Sequence, residues 1–158
     1  MDFRVGFGYD VHRFSPRGRL MLGGVHIPYE KGLQGHSDAD VLIHAMMDAL
    51  LGAAGLRDIG FYFPDTDAAL EGADSKLLLA KVVEMLQQNG FTIGNIDCTI
   101  CLQKPKISGH IPAMLQTLSG LLGLAPGQLS IKATTTEYLG FVGREEGAAA
   151  YAVALIKK

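Results

Sequence analysis

Apolar and polar residues alternate at the start of the chain. Phe3, Val5, Phe7, Tyr9 and Val11 occupy one set of positions, and Arg4, Gly6, Gly8, Asp10 and His12 the other. A period of two is the mark of a half-buried β-strand. It places Asp10 and His12 on the same face, opposite the apolar set and about 6.6 Å apart along the strand. Leu20–Leu22 and Val25–Ile27 flank Gly23-Gly24, a pair suited to a two-residue hairpin turn, and Pro28 ends the segment.

The period then becomes helical. Val41, Leu42, Ala45, Met46, Ala49 and Leu50 recur at helix spacing through about Ala54. Ser37 is the predicted N-cap, with Asp38 and Asp40 in the dipole-positive first turn. Residues 55–67 are predicted as a long loop rich in aromatics and carboxylates, and long ordered loops are often functional. Asp74 caps a second predicted helix over residues 75–89, closed by Gly90. Residues 91–103 are β-rich and end at Lys104-Pro105-Lys106. Pro112 suits the first turn of a third helix, which Met114, Leu115, Leu118, Leu121 and Leu122 carry to Gly123. Residues 129–135 and 148–156 read as further strands. The order predicts one α/β domain (an α+β sandwich) over residues 1–158. Its sheet is mixed, mainly four- or five-stranded, with helices packed on one face and a small β-hairpin beside it.

Composition narrows the function classes. The chain carries 14 Lys and Arg against 16 Asp and Glu, a net charge of −2, which removes the electrostatic case for binding nucleic acid or an anionic membrane. No apolar run approaches the roughly 20 residues of a membrane span. Met1-Asp2-Phe3-Arg4 has none of the layout of a secretion signal, and two cysteines make no disulfide framework, so a cytoplasmic setting is expected. The 20 glycines cluster beside His, Asp, Ser and Thr, where a backbone can approach a ligand closely or simply turn tightly.

Asp10 and His12 offer a carboxylate and an imidazole on one strand face. His44, near the start of the first long helix, is the best third donor for a zinc site with an open fourth position. A lone D-x-H is a weak pattern; a polar strand face in water and a satisfied helix histidine explain the same spacing. Asp40 and Asp48 lie four residues either side of His44, so either is a candidate acceptor for its non-ligating N–H. Cys98-Thr99-Ile100-Cys101 has CxxC spacing, but in a strand residues three apart lie on opposite faces, which predicts buried, inert thiols. Lys132-Ala133-Thr134-Thr135-Thr136-Glu137, followed by Gly140-Phe141 and Arg144, is a hydroxyl-rich strand end with a cation. It suits phosphate oxygens and a hard metal ion, and equally a solvated strand edge.

Taken together these segments pass beyond spacing. Gly8-Tyr9-Asp10-Val11-His12, Gly35-His36-Ser37-Asp38-Ala39-Asp40-Val41 with His44 and Asp48, Asp58-Ile59-Gly60 through Phe63-Pro64-Asp65-Thr66-Asp67, and Lys132 to Glu137 with Gly140-Phe141 and Gly143-Arg144 closely resemble the 2-C-methyl-D-erythritol 2,4-cyclodiphosphate synthase family. The resemblance covers nearly the whole chain, including Gly72-Ala73-Asp74-Ser75 and His110-Ile111-Pro112. It implies a phosphorus–oxygen lyase of the non-mevalonate isoprenoid pathway. 4-Diphosphocytidyl-2-C-methyl-D-erythritol 2-phosphate would close on itself, its 2-phosphate attacking the β-phosphorus and expelling CMP. The alternatives are a zinc-dependent phosphohydrolase and a non-catalytic binder of nucleotide or metal. Carried over by position, Asp10, His12 and His44 would hold Zn²⁺, and Glu137 a second divalent ion, Mg²⁺ or Mn²⁺. His36 and Thr135 would stabilise the transition state. Val11, Ser37, Asp58, Ile59, Gly60, Phe63, Pro64, Asp65, Thr66 and Asp67 would surround the erythritol and its phosphate. Leu102, Gln103, Lys104, Pro105, Lys106, Ile107 and Ser108 would form the cytidine pocket, and Thr134, Thr136, Phe141 and Arg144 would complete the contacts. The resemblance also implies a homotrimer with sites between subunits. Tyr151 departs from the family, where a glutamate often stands at this position near the threefold axis.

Overall fold

A computed structural model describes residues 2–158. The central sheet has five strands in the order β4-β1-β7-β5-β6. β1 (Phe3–Ser15) runs antiparallel to both β4 (Gly32–Gln34) and β7 (Gly147–Lys157). β5 (Thr92–Cys101) pairs antiparallel with β7 and parallel with β6 (Leu129–Thr134). β2 (Leu20–Leu22) and β3 (Val25–Ile27) form a separate hairpin, as the Gly23-Gly24 pair predicts; both glycines have positive φ. The helices α1 (Val41–Ala54), α3 (Ser75–Gln88) and α4 (Ile111–Leu122) cover one face of the sheet. Between α1 and α3 lies the short α2 (Ile59–Tyr62), and α5 (Gly140–Gly143) precedes β7. Asp74 caps α3 by accepting from the Lys76 N–H, and Gly123 ends α4 in the left-handed region. No helix among the described residues is long and apolar enough to cross a membrane.

The alternation in β1 is real, yet its apolar side faces away from the helices. Gly6 and Gly8 are buried, whereas Phe3, Val5, Phe7, Tyr9 and Val11 are exposed. The cause is close packing of α1. A Cβ on Gly6 would stand 1.9 Å from the Ala49 carbonyl oxygen, and one on Gly8 1.9 Å from that of Ala45. The neighbouring strand matches this, with Ala148, Ala150, Ala152 and Ala154 buried beneath the same helix. Small residues on both sides draw the start of α1 down onto Asp10 and His12. The far face of the sheet carries Phe7, Tyr9 and Tyr151 as an aromatic cluster, with Tyr9 and Tyr151 ring centroids 5.0 Å apart.

Three local expectations change. Asp40, not Ser37, is the N-cap of α1, accepting from the Ile43 N–H at 3.1 Å. Its carboxylate also accepts from Gly23 and Gly24 at 2.9 and 2.7 Å, so the hairpin turn and the helix start share one acceptor. Burial pushes the Asp40 pKa up, against the pull of those three N–H groups. The 55–67 segment is not plain loop, because Asp58 caps α2 by accepting from the Phe61 N–H. β4 is an additional short edge strand, and β1 continues to Ser15 to pair with it.

Candidate active site

Asp10 and His12 point from β1 toward the first turn of α1, which presents His44. Three atoms converge there. Asp10 Oδ2 lies 2.9 Å from His12 Nε2 and 3.0 Å from His44 Nδ1, and the two ring nitrogens are 3.0 Å apart. His12 Nδ1 donates to the Gln34 carbonyl at 2.9 Å, which leaves Nε2 with its lone pair. His44 Nε2 is 3.0 Å from Ser37 Oγ and 3.1 Å from Ser75 Oγ. These contacts, not Asp40 or Asp48, answer its non-ligating nitrogen. Asp40 is committed to the Gly23–Gly24 turn, and Asp48 accepts from the Ile59 N–H at 2.8 Å, fixing α2 against α1.

This donor set fits a cation. Tetrahedral zinc with bonds of about 2.05 Å holds its ligand atoms about 3.3 Å apart, close to the spacing here. The close approach of these groups shows in their titration. Burial raises the Asp10 pKa, but its interactions with the His12 and His44 rings outweigh it and lower the carboxyl to about 2. Burial lowers that of His12, and Asp10 more than offsets it, so the imidazole is raised.

The triad forms the floor of a cavity of about 370 Å³. Gly35, His36 and Ser37 line one wall; Ile59, Gly60, Phe63 and Asp65 line the other, with Met47, Leu70 and Leu78 completing it. His36 Nε2 donates to the Asp67 carbonyl at 2.8 Å, and Asp67 caps the 3₁₀ turn at Ala68–Leu70. Asp58 sits outside the lining as the α2 cap, and Val11, Pro64 and Thr66 do not line it.

A second cavity, of about 170 Å³, opens at the C-terminal ends of β5 and β6. Leu102, Gln103, Pro105, Lys106, Ile107 and Ser108 line it together with Thr134 and Thr135. Lys104 turns away to pair with Glu145 at 3.2 Å. Just beyond, Thr135 Oγ1 donates to Glu137 Oε1 at 3.3 Å, and the Tyr138 N–H is held by Gln103 Oε1 at 3.2 Å. Val11 pairs with Ala149, Ala149 with Cys101, and Cys101 with Thr134, three strand spacings or about 14 Å in all. Within one chain the Thr135–Glu137 turn therefore does not meet the Asp10 triad. Phe141 lines a third cavity with Tyr9, Val11 and Arg13, and the Arg144 guanidinium is forked by Glu146 at 3.1 Å.

A family model described as the YgbB family matches residues 3–157. The chain belongs to the YgbB family. Among its relatives is the 2-C-methyl-D-erythritol 2,4-cyclodiphosphate synthase of Bacteroides thetaiotaomicron, 54% identical over 100% of this chain and 99% of that protein. The synthase of Symbiobacterium thermophilum is 59% identical, covering 96% and 97%. Of solved structures, "IspF (Plasmodium falciparum) CDP complex" superposes with a TM-score of 0.85 at 32% identity, covering 98% of this chain and 95% of the other. The bifunctional IspDF of Campylobacter jejuni gives 0.95 at 42% identity; this chain matches 42% of its length.

The grouping of Asp10, His12 and His44 was legible in sequence; Ser75 was legible only as part of the Gly72–Ser75 helix start, and Met47, Leu70 and Leu78 carried no signal there. Gly35 has a structural signature: a Cβ would lie 3.0 Å from the His12 ring. Cys98 and Cys101 are separate thiols on opposite strand faces; only Cys98 is buried as expected, with its pKa pushed up to about 12, whereas Cys101 is half-buried.

Proposed function

We propose that this chain cyclises 4-diphosphocytidyl-2-C-methyl-D-erythritol 2-phosphate to 2-C-methyl-D-erythritol 2,4-cyclodiphosphate, releasing CMP as a phosphorus–oxygen lyase. The single observation that carries this reading is the convergence of Asp10, His12 and His44 at the floor of a cavity walled by α2. Asp10, His12 and His44 would hold Zn²⁺ and Glu137 would hold Mg²⁺ or Mn²⁺, whose positive charge would stabilise phosphate oxygens as negative charge shifts between them.

The protein's own groups then do the positioning, which dominates the barrier when substrate carries its own nucleophile. Ile59, Gly60, Phe63 and Asp65 enclose the erythritol end and hold its 2-phosphate in line with the diphosphate. His36 keeps its ring in place through Nε2–H to the Asp67 carbonyl, so Nδ1 is the nitrogen left for substrate. The cavity at Gln103, Pro105 and Lys106 takes the cytidine, and the Thr135 hydroxyl meets the diphosphate.

The two cavities belong to different ends of one chain, so a complete site needs a second copy. The outward sheet face, with Phe3, Val5, Phe7, Tyr9 and Val153 exposed, supports a homotrimer in which neighbouring subunits supply the two halves. A cytoplasmic setting accords with two free cysteines. Incubation with the cytidylyl substrate, followed by phosphorus NMR, tests the reading. Cyclic diphosphate plus CMP is the expected product. Open-chain phosphates would instead establish a phosphohydrolase, and unchanged substrate a binder.

A further inference from the structure

Behind the triad, Ser75 and Asp38 form a polar pair outside the cavity lining. Ser75 is the first residue of α3 and fully buried. Its hydroxyl stands 3.1 Å from His44 Nε2 and donates to Asp38 Oδ1. Asp38 Oδ2 accepts from the Ser75 backbone N–H at 3.1 Å, so the carboxylate grips Ser75 at two points. Ser37 Oγ joins the group, 3.4 Å from Ser75 Oγ.

A proton inventory fixes the direction of these bonds. An ionised carboxylate only accepts. The one hydroxyl proton of Ser75 is therefore spent on Asp38, and Ser75 Oγ offers His44 nothing but lone pairs. Toward Ser75, His44 Nε2 is therefore the donor, which leaves Nδ1 bare toward Asp10 and His12; Ser37 Oγ, 3.0 Å from the same nitrogen, accepts beside it. The opposite tautomer has a strong inducement of its own, because Asp10 Oδ2 lies 3.0 Å from Nδ1 and would accept a proton placed there. A hydrogen on Nδ1 blocks coordination.

We propose that Ser75, oriented by Asp38, is a positioning residue that holds His44 in its metal-competent tautomer. The inference rests on the metal reading of the triad given above and adds to it two residues outside the ligand set. The same relay ties the loop bearing His36 to the start of α3. The Asp38 N–H donates to the Ala73 carbonyl at 3.0 Å, and the Gly72 N–H to the His36 carbonyl at 2.7 Å. Metal retention and His36 placement thus share one anchor.

The test uses Ser75→Ala and Asp38→Asn in the full chain, each checked for folding by urea denaturation. Zinc affinity is read by competition with a chromophoric chelator. The tautomer of His44 is read in chelator-treated protein by nitrogen-15 ring NMR at alkaline pH. Wild type should bind zinc and show hydrogen on Nε2. Ser75→Ala should bind about 10- to 100-fold more weakly, and its His44 should shift toward hydrogen on Nδ1. Asp38→Asn should move both readouts the same way, and it carries the test alone if Ser75→Ala does not fold. Folded variants with wild-type affinity and an unchanged tautomer overturn the proposal while leaving the triad intact. A wild type that binds no zinc overturns the metal reading itself.

Discussion

Replacing Gly8 with alanine tests how the fold builds the site. The new Cβ would stand 1.9 Å from the Ala45 carbonyl oxygen and 2.7 Å from the Ala49 nitrogen. Both are backbone atoms and cannot rotate aside. Ordinary contact begins at 3.4 Å, so strand and helix must separate by about 1.5 Å, the difference between 3.4 and 1.9. Overpacking of this kind costs about 1–3 kcal/mol, and more when backbone is the obstacle. The displacement falls on the Asp10–His12–His44 triad, since Ala45 follows His44 and Gly8 precedes Asp10 by two residues. Metal sites tolerate ligand distances only within about 0.2 Å. Gly8→Ala should therefore lose at least about tenfold in zinc affinity along with its stability. Gly52→Ala on the exposed side of the same helix is the control; nothing lies within 4 Å of its Cβ. That change should be neutral or stabilising by up to about 1 kcal/mol. Urea unfolding and chelator competition read both effects. If Gly8→Ala matches wild type in midpoint and zinc affinity, the close-packed seam does not set the site.

Two further outcomes are expected. Phe7→Glu places a charge on the outward sheet face, where Phe7 is 63% exposed in the single chain; sedimentation should show trimers for wild type and monomers for the variant, and trimers for both would remove that face from the assembly. In chelator-treated protein, the Asp10–His12 pair should give a bell-shaped dependence of melting temperature on pH. The Asp10 carboxyl, lowered from 3.8 to about 2, contributes about 2 kcal/mol above 3.8, lost as pH falls toward 2. The raised His12 contributes fully below 6.5 and loses its part as pH climbs through the folded value. A flat profile between pH 3 and 8 would contradict that pairing.

Local chemistry was readable where it is self-contained. The Gly23-Gly24 turn, the Asp74 cap, and the Gly90 and Gly123 helix ends each depend on a few consecutive residues, and each stands as expected. Asp10 and His12 share a face because strand geometry leaves no other choice. What failed to read depended on residues distant in sequence. The alternation in β1 could not say which face meets the helices, because Gly6 and Gly8 win that side by having no side chain. Spacing along α1 offered Asp40 and Asp48 to His44, but the partners that reach Nε2 are Ser37, in the preceding loop, and Ser75, on another helix. Likewise Ser37 is a good cap by type, and Asp40 takes the role because its carboxylate also serves the hairpin. The three-residue β4 has no periodicity of its own; pairing with Arg13, Phe14 and Ser15 creates it.

The shared acceptor at Asp40 has a consequence for the order of assembly. The first turn of α1 cannot be finished by local residues alone, since the oxygen that accepts from Ile43 also accepts from Gly23. Docking of the hairpin and nucleation of the helix are thus one cooperative event, with His44 in the turn that waits for it. A chain whose hairpin came loose would fray first at His44, losing chemistry well before it lost its shape.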